Sequence, residues 1–300
     1  MNNPWIKAIR LRTLPLAWAS LTMGGSLAYL GGHFEWGLYV LSIFTAFSLQ
    51  IASNLANDYG DAASGLDGDH REGPSRTIQS GLITKGQMKA AILVACLFSL
   101  GFGLWLVYLA FIDWVKIAVF VGLGLFAIVA ALKYTMGKNP YGYSGWGDVF
   151  VLVFFGWVGV GGSFYLYAAE WDWQVLLPAS SLGLMAVAVL NVNNIRDIES
   201  DRKSGKYSIP VRIGRDNAVL YHGMILLASQ LLLIVFALRL EFSGFQWIFL
   251  LVIPLLRRNW VGVKSETEAM KLDPYLKQMA IATLFQVLLF VLGNFVNGFA

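Results

Sequence analysis

Long apolar segments alternate with short polar ones along almost the whole chain. A helix needs about 20 apolar residues to cross a bilayer, and nine segments approach or reach that length. They lie near residues 14–31, 36–57, 88–111, 114–134, 147–169, 174–195, 217–239, 244–257 and 276–297. Backbone groups inside a bilayer must be hydrogen-bonded within the protein. The pattern therefore predicts an all-α polytopic membrane bundle of about nine transmembrane helices.

The composition agrees with a membrane protein and argues against a soluble one. Of the 300 residues, 57% are hydrophobic and 13% are charged, whereas soluble domains carry about 25% charged residues. The single cysteine, Cys96, excludes an intrachain disulfide, and the three histidines lack the spacing of a zinc site. We expect one integral-membrane domain over residues 1–300.

Basic residues are concentrated in alternate loops. If the nine spans alternate in direction, all of the 22 Lys and Arg residues except Lys116 and Arg239 fall on one side. The positive-inside rule makes that side cytoplasmic, so we expect a multi-pass protein of the cytoplasmic (inner) membrane. The N-terminus would then be cytoplasmic and the C-terminus outside. The net charge of +4 thus reflects orientation in the membrane, and we expect no nucleic-acid partner.

Two acidic, asparagine-containing segments, 54–69 and 191–201, follow directly on apolar runs. A carboxylate beside a membrane span is expensive unless a cation offsets its charge. Residues three or four apart share one face of a helix, so each segment presents an acidic face at the end of a span. These faces are Asn54, Asp58 and Asp61 in the first segment and Asn193, Asp197 and Asp201 in the second.

The two segments superpose at a separation of 136 residues, with Asn57 and Asp61 matching Asn193 and Asp197. This correspondence predicts an approximate internal repeat, with two four-helix halves and a ninth helix appended. Repeats of this kind bring corresponding segments to a common axis, so the two acidic faces should form one site on the cytoplasmic side.

Carboxylate and amide oxygens are ligands that suit Mg²⁺, which binds through a few carboxylates, water and substrate phosphate. Basic residues in the loops after both segments could hold further phosphate oxygens. Together they would stabilise the charge on a departing diphosphate, while the apolar interior held a long lipid tail. This combination predicts ionisation of a prenyl diphosphate to an allylic cation that an electron-rich acceptor captures.

The motifs resemble those of the UbiA superfamily of intramembrane prenyltransferases, which have two Asp-rich motifs on a nine-helix bundle. Asn57, Asp58 and Asp61 match the opening of the first motif, but Gly65 replaces its third acid and Asp67 follows two residues later. This variant is similar to the branch that prenylates 1,4-dihydroxy-2-naphthoate in menaquinone biosynthesis. Further matching segments occur along nearly the whole chain, among them residues 10–15, 134–135, 142–143, 193–197, 205–206 and 211–214.

The resemblance implies a transferase that joins a polyprenyl diphosphate to 1,4-dihydroxy-2-naphthoate, releases CO₂ and diphosphate, and forms demethylmenaquinone. It implies Mg²⁺ as cofactor and membrane lipid as surroundings, and it leaves the oligomeric state open. The expected metal ligands are Asp58, Asp61, Asp67, Asp197 and Asp201. The expected catalytic residues are Asp61, Asp197, Arg76 and Lys206. The expected substrate-binding residues are Asn54, Asn57, Arg212, Lys133, Tyr134, Tyr143, Asn193 and Asn194.

Three alternatives remain at this point. One is another aromatic prenyltransferase, with 4-hydroxybenzoate or homogentisate as the acceptor. A second is a cation-coupled secondary transporter, since transporters also combine repeats with paired acids. Transporter acids are expected near the bilayer midplane, whereas these acids lie at span ends beside basic loops. The third is a non-enzymatic scaffold that binds a prenyl lipid, which would leave the predicted metal ligands without a purpose.

Overall fold

The computed structural model describes residues 3–64 and 77–297, and the regular structure of these residues is entirely helical. The all-α prediction is therefore confirmed. In chain order the helices are α1 (Pro4–Ile9), α2 (Leu14–Leu30), α3 (Trp36–Ser64), α4 (Lys85–Ala110), α5 (Trp114–Lys133), α6 (Gly147–Ala168), α7 (Leu176–Arg196), α8 (Ile198–Lys203), α9 (Ile209–Ile213), α10 (Arg215–Arg239), α11 (Ile253–Ser265) and α12 (Asp273–Asn297).

The long helices coincide with the predicted membrane spans. In the described residues, seven helical segments are long and apolar enough to cross a membrane: α3, α4, α5, α6, Trp173–Arg196 with α7, α10, and Ala269–Val296 with α12. The first predicted span corresponds to α2. The eighth corresponds to the 3₁₀ stretch Gly244–Val252 and its continuation in α11. The chain is thus a multi-pass membrane protein, and the count of nine spans stays a prediction.

Side chains in the loops set where several helices begin. Thr84 and Gln87 form a reciprocal capping box at the start of α4, and Asp113 accepts hydrogen bonds from the backbone N–H groups of Val115 and Lys116 at the start of α5. These contacts satisfy N–H groups that have no partner inside the helix. The membrane helices therefore begin where a polar residue precedes an apolar run.

α7 lies at the centre of the bundle and packs against α6, α10 and α12. Its buried side chains contribute to two apolar clusters that hold these helices together. α2 crosses α6 so closely that a Cβ atom on Gly24 would lie 2.6 Å from the carbonyl oxygen of Val160. The central part of α6, Leu152–Gly162, is wound as a π-helix. Small residues thus allow the close helix contacts that membrane bundles use.

Candidate functional site

A cavity of about 1180 Å³ runs between the helices from the ends of α3 and α7 along α5. Both acidic motifs lie at one end of it. The rest of the lining is mostly apolar, with Phe120, Leu123 and Phe154 among the residues, and extends to Lys116 and Trp171 at the other end of the helices. The cavity therefore has a charged end and a long apolar body.

The first acidic motif occupies the last turns of α3, which continues past the predicted end of its apolar run to Ser64. Asp58 forms an ion pair with Arg10 at 2.5 Å and accepts a hydrogen bond from the Thr77 hydroxyl. Asp61 accepts a hydrogen bond of 2.7 Å from the phenol of Tyr143. Both carboxylates are buried, with 3% and 8% of the residue exposed, so these partners offset the cost of their burial.

Asn54 anchors the segment that carries Arg10. Its side-chain amide donates to the carbonyl oxygen of Ile9 at 2.8 Å and to the Thr13 hydroxyl at 2.9 Å. Arg10 itself adopts a left-handed backbone conformation with φ 54°, which is unfavourable for a non-glycine residue and needs such support. Asn54 thus lines the cavity and also fixes the N-terminal segment over its charged end.

Gly60 allows the loop after α5 to lie against the first motif. A Cβ atom there would be 2.5 Å from the backbone oxygen of Thr135. The Thr135 hydroxyl donates to the carbonyl oxygen of Ala56 and to the side-chain oxygen of Asn57, both at 3.1 Å. Asn57 is thereby oriented at the charged end of the cavity.

The second motif spans the end of α7 and the start of α8. The helix stops at Arg196, Asp197 has a non-helical backbone, and α8 starts at the next residue. The sequence pattern predicts one continuous helix face for Asn193, Asp197 and Asp201. The break at Asp197 is a difference from that pattern, although the Asp201 N–H still bonds to the Asp197 carbonyl at 2.8 Å.

Arg196 holds the Asp197 carboxylate on both oxygens. Its Nε and Nη2 atoms donate to Oδ1 and Oδ2, each at 2.8 Å. Nη2 also donates to the side-chain oxygen of Asn193 at 2.9 Å. A planar guanidinium that grips a carboxylate with two bonds fixes its orientation. Asn193, Arg196 and Asp197 all line the charged end of the cavity.

Asp201 and Lys206 form a buried ion pair, with Lys206 Nζ 2.9 Å from Asp201 Oδ2. Burial lowers the pKa of Lys206, but the carboxylate of Asp201, followed by Tyr134, Asp61 and Asp197, raises it above its ordinary value. Burial raises the pKa of Asp201 while Lys206 lowers it, and the neighbouring carboxylates of Asp197 and Asp61 raise it again. Acids from both motifs therefore act on one another across the cavity.

The structure gathers nine of the predicted site residues on the cavity wall: Asn54, Asn57, Asp58, Asp61, Tyr134, Asn193, Asp197, Asp201 and Lys206. Four other predicted residues lie outside the lining, namely Lys133, Tyr143, Asn194 and Arg212. Tyr143 still reaches the site through Asp61. Asn194 is buried, and its Oδ1 atom has no hydrogen-bond partner among the described residues. Arg76 and Asp67 lie outside the described residues.

Arg212 connects two loops on this side of the bundle. Its Nε donates to the carbonyl oxygen of Tyr207 at 3.0 Å and its Nη2 to that of Ser144 at 2.9 Å. The Tyr207 N–H donates in turn to the carbonyl oxygen of Tyr143 at 2.8 Å. Arg212 thus holds the loop that brings Tyr143 to Asp61. The direct contact with diphosphate expected for Arg212 stays a prediction.

Three arginines on the cavity wall were not among the predicted site residues: Arg10, Arg12 and Arg196. The last is adjacent to Asp197 in the sequence, and the first two precede the first span. An arginine beside an acidic membrane motif is a signal that could have identified them, because a buried carboxylate needs a cation nearby. Which carboxylate each arginine contacts depends on the packing of α1, α3 and α7.

The donor set at the charged end suits a hard cation. Among the described residues, no three Asp, Glu, His or Cys side chains are close enough to enclose a metal by themselves. Mg²⁺ does not require such a cage, since it binds through one or two carboxylates and completes its shell with water and phosphate. The mutually repelling carboxylates of Asp61, Asp197 and Asp201 therefore fit Mg²⁺ that is shared with a phosphorylated substrate.

Comparison with known proteins identifies close relatives. The UbiA prenyltransferase family matches residues 17–275. The 1,4-dihydroxy-2-naphthoate octaprenyltransferase of Escherichia coli (strain K12) is 44% identical over 299 residues, covering 100% of this chain and 97% of the relative. The protein of the same description from Haemophilus influenzae is 41% identical over 291 residues, covering 96% and 94%.

Solved structures of more distant proteins share the fold. The apo structure of a UbiA homolog from Aeropyrum pernix K1 has a TM-score of 0.69 at 15% identity, covering 97% of this chain and 98% of that one. A UbiA homolog from Archaeoglobus fulgidus bound to GPP and Mg²⁺ has a TM-score of 0.59 at 15% identity, covering 96% and 99%. The long stretch of sequence matched, the identity to full-length relatives and this shared architecture lead to one conclusion: the chain belongs to the UbiA prenyltransferase family.

Proposed function

We propose that this chain transfers the polyprenyl group of an all-trans-polyprenyl diphosphate to 1,4-dihydroxy-2-naphthoate, with loss of CO₂ and diphosphate. The product of the transfer is the quinol form of demethylmenaquinone, since no electrons are removed in this step, and it belongs to the biosynthesis of menaquinone. The observation that carries this proposal is the 44% identity to the Escherichia coli octaprenyltransferase over the whole chain. The cavity supports it, because a charged end and an apolar body fit a diphosphate and its lipid tail.

The charged end of the cavity contains acidic residues that could bind a metal ion and side chains that carry positive charge. Asp61 and Asp197 face the same space from the two motifs, with Asp58 and Asp201 beside them and Asp67 expected from the sequence. These acids would hold magnesium ions, whose positive charge would stabilise the departing diphosphate. Lys206, kept protonated by its acidic neighbours, adds a fixed positive charge to the same end of the cavity.

The chemistry of the acceptor explains the loss of CO₂. The bond between the allylic carbon and the diphosphate oxygen breaks with both electrons leaving on the diphosphate, and the ring carbon that bears the carboxylate attacks the allylic cation. The carboxylate then leaves as CO₂, and its bonding electrons restore the aromatic ring. Tyr134 lies on the cavity wall beside the acids, where an aromatic ring can pack against the naphthoate.

The cytoplasmic face of the inner membrane is the proposed location of the charged end. Support comes from the distribution of Lys and Arg, which places both motifs on the positive side of the chain. Phosphorylated substrates are made in the cytoplasm, so this orientation gives the diphosphate direct access.

An assay with competing acceptors tests the proposed function. Membranes containing the chain receive Mg²⁺, a polyprenyl diphosphate and either 1,4-dihydroxy-2-naphthoate, 4-hydroxybenzoate or homogentisate. Of the three acceptors, we expect only the naphthoate to give a prenylated product. One molecule of CO₂ should be released for each molecule of product. Chelation of Mg²⁺ with EDTA should stop the reaction and added Mg²⁺ should restore it. Product from another acceptor in preference to the naphthoate, or prenylation without CO₂ release, would contradict the proposal.

A further inference from the structure

Asp273, the first residue of α12, joins two arginines of the cavity wall. Its Oδ1 accepts a hydrogen bond of 2.6 Å from Arg196 Nη1, and its Oδ2 accepts one of 3.0 Å from Arg12 Nη1. The three residues come from the N-terminal segment, the end of α7 and the start of α12. One carboxylate thus connects the segment over the first motif with the end of the second.

The contact with Asp273 completes the orientation of Arg196. The guanidinium already holds Asp197 through Nε and Nη2, and Asp273 holds the remaining nitrogen, Nη1. A guanidinium is rigid and planar, so partners on all three nitrogens define both its position and its plane. The Arg196 side chain is only 2% exposed, which leaves it little freedom to find other partners.

Arg12 is held less tightly. Its side chain is 38% exposed and that of Asp273 is 30% exposed, so the charge attraction between them is partly screened by solvent. The contact between Arg12 and Asp273 therefore contributes mainly by orienting the long, flexible Arg12 side chain at the charged end of the cavity. Both arginines line the cavity, whereas Asp273 does not. Any effect of Asp273 on a substrate must pass through them.

We propose that Asp273 is a positioning residue for the prenyl diphosphate, acting through Arg12 and Arg196. This inference rests on the proposed function, since it assumes that the charged end binds a diphosphate. Arg12 brings a guanidinium, a group well suited to phosphate, to this end of the cavity, while Arg196 holds the Asp197 carboxylate in place there. The acceptor carries one carboxylate, whereas the donor carries a diphosphate with more charge and more oxygens, so the effect of Asp273 should fall mainly on the prenyl donor.

Steady-state kinetics of the full-length chain in detergent, with each substrate varied in turn, test this role. We expect Asp273→Asn and Asp273→Ala to lower kcat/KM for the prenyl diphosphate by about 10- to 100-fold, the range for partners that orient ligating groups. The KM for the naphthoate should change by less than about twofold, since no acceptor contact is lost. Asp273→Glu, which retains the charge, should recover part of the loss.

Glu268→Gln is the matched control. Glu268 lies five residues earlier in the same connection and also forms an ion pair, with Lys271 at 2.6 Å, but its side chain is 66% exposed and is not among the residues that line the cavity. We expect this variant to behave as the unmodified chain does. The thermal unfolding midpoint of every variant, measured in the same detergent, identifies any variant that has lost its fold.

A second measurement does not depend on turnover. Calorimetric titration with a non-reactive prenyl thiodiphosphate should show weaker binding to Asp273→Asn. Arg12→Ala should then cost less binding in the Asp273→Asn chain than in the unmodified chain, because Asp273 acts partly through Arg12, and equal costs in both chains would contradict the coupling.

The outcomes separate this inference from the proposed function. If the unmodified chain forms no prenylated product with any of the three acceptors, the proposed function is contradicted. An active chain whose Asp273→Asn and Asp273→Ala variants keep kcat/KM for the prenyl diphosphate within about twofold would overturn the positioning role. Equal losses for both substrates together with a lowered unfolding midpoint would also overturn it, since they would show that Asp273 only anchors α12.

Discussion

At the scale of single residues, the site consists of carboxylates that each have an identified partner. Asp58 pairs with Arg10, Asp197 with Arg196 and Asp201 with Lys206, while Asp61 accepts a hydrogen bond from Tyr143. A buried carboxylate without such a partner would take up a proton instead of remaining charged. These partners offset the cost of burying the acids, whose oxygens suit a metal ion.

Removing one carboxylate from either motif should abolish turnover. We expect Asp61→Asn and Asp197→Asn to lower kcat at least about 100-fold, because metal charge stabilisation is worth several kcal/mol in the transition state. Glu199→Gln is the control, since Glu199 lies between Asp197 and Asp201 but its side chain is 58% exposed and pairs with Arg202. Full activity of either Asn variant in the assay with Mg²⁺ and both substrates would rule out the metal assignment for that residue.

At the scale of helices, contacts between small residues determine how the cavity is formed. α2 meets α6 at Gly24, whose position leaves no room for a side chain against Val160 and Ser163. Both helices contribute residues to the cavity wall. α5 is different, since it packs chiefly on α3 and α4 and buries only Ala127 and Ala130, as expected for a helix in contact with lipid.

A larger residue at the contact between α2 and α6 should destabilise the bundle. We expect Gly24→Val to lower the free energy of unfolding by about 1–3 kcal/mol, the usual cost of overpacking. Gly122→Ala in α5 is the matched control, because a Cβ atom there meets nothing within 4 Å. That change should leave stability unchanged or raise it by up to about 1 kcal/mol. Unfolding midpoints in one detergent measure both, and equal midpoints for the two variants would contradict the close contact.

At the scale of the whole molecule, the asymmetry of charge predicts how the chain lies in the membrane. Lys138 follows α5 and Glu170 follows α6, so they lie at opposite ends of α6, and both are exposed. The positive-inside rule assigns the end with Lys138 to the cytoplasm. The internal repeat of two four-helix halves belongs to this scale as well, and it stays a prediction.

Cysteine labelling in intact cells tests the orientation. In a Cys96→Ala background, a membrane-impermeant thiol reagent should label Glu170→Cys in intact cells and Lys138→Cys only after permeabilisation. Cys96→Ala alone is the control for background labelling. The opposite order of labelling would place the charged end of the cavity outside and would contradict the cytoplasmic site.

The sequence alone was sufficient to predict the fold class, the helix positions and the two acidic motifs, because the membrane restricts which structures are possible. Apolar length and the need to satisfy backbone hydrogen bonds leave a helical bundle as the only architecture for such a chain. The spacing of Asn54, Asp58 and Asp61 along one helix face is equally local, and α3 presents them as expected. Charge counting and local periodicity therefore determined the fold class, the helix positions and the two acidic motifs.

Only the tertiary structure decided which charges meet. The contacts of Asp58 with Arg10, of Asp61 with Tyr143 and of Asp273 with two arginines join residues that are far apart in the chain. They depend on how helices cross, which is set by close contacts such as the one at Gly24. The break of the helix at Asp197 is another such result. α7 ends at Arg196, and α8 begins directly after Asp197. Local patterns contain no information about these distances, since each distance depends on packing between separate helices.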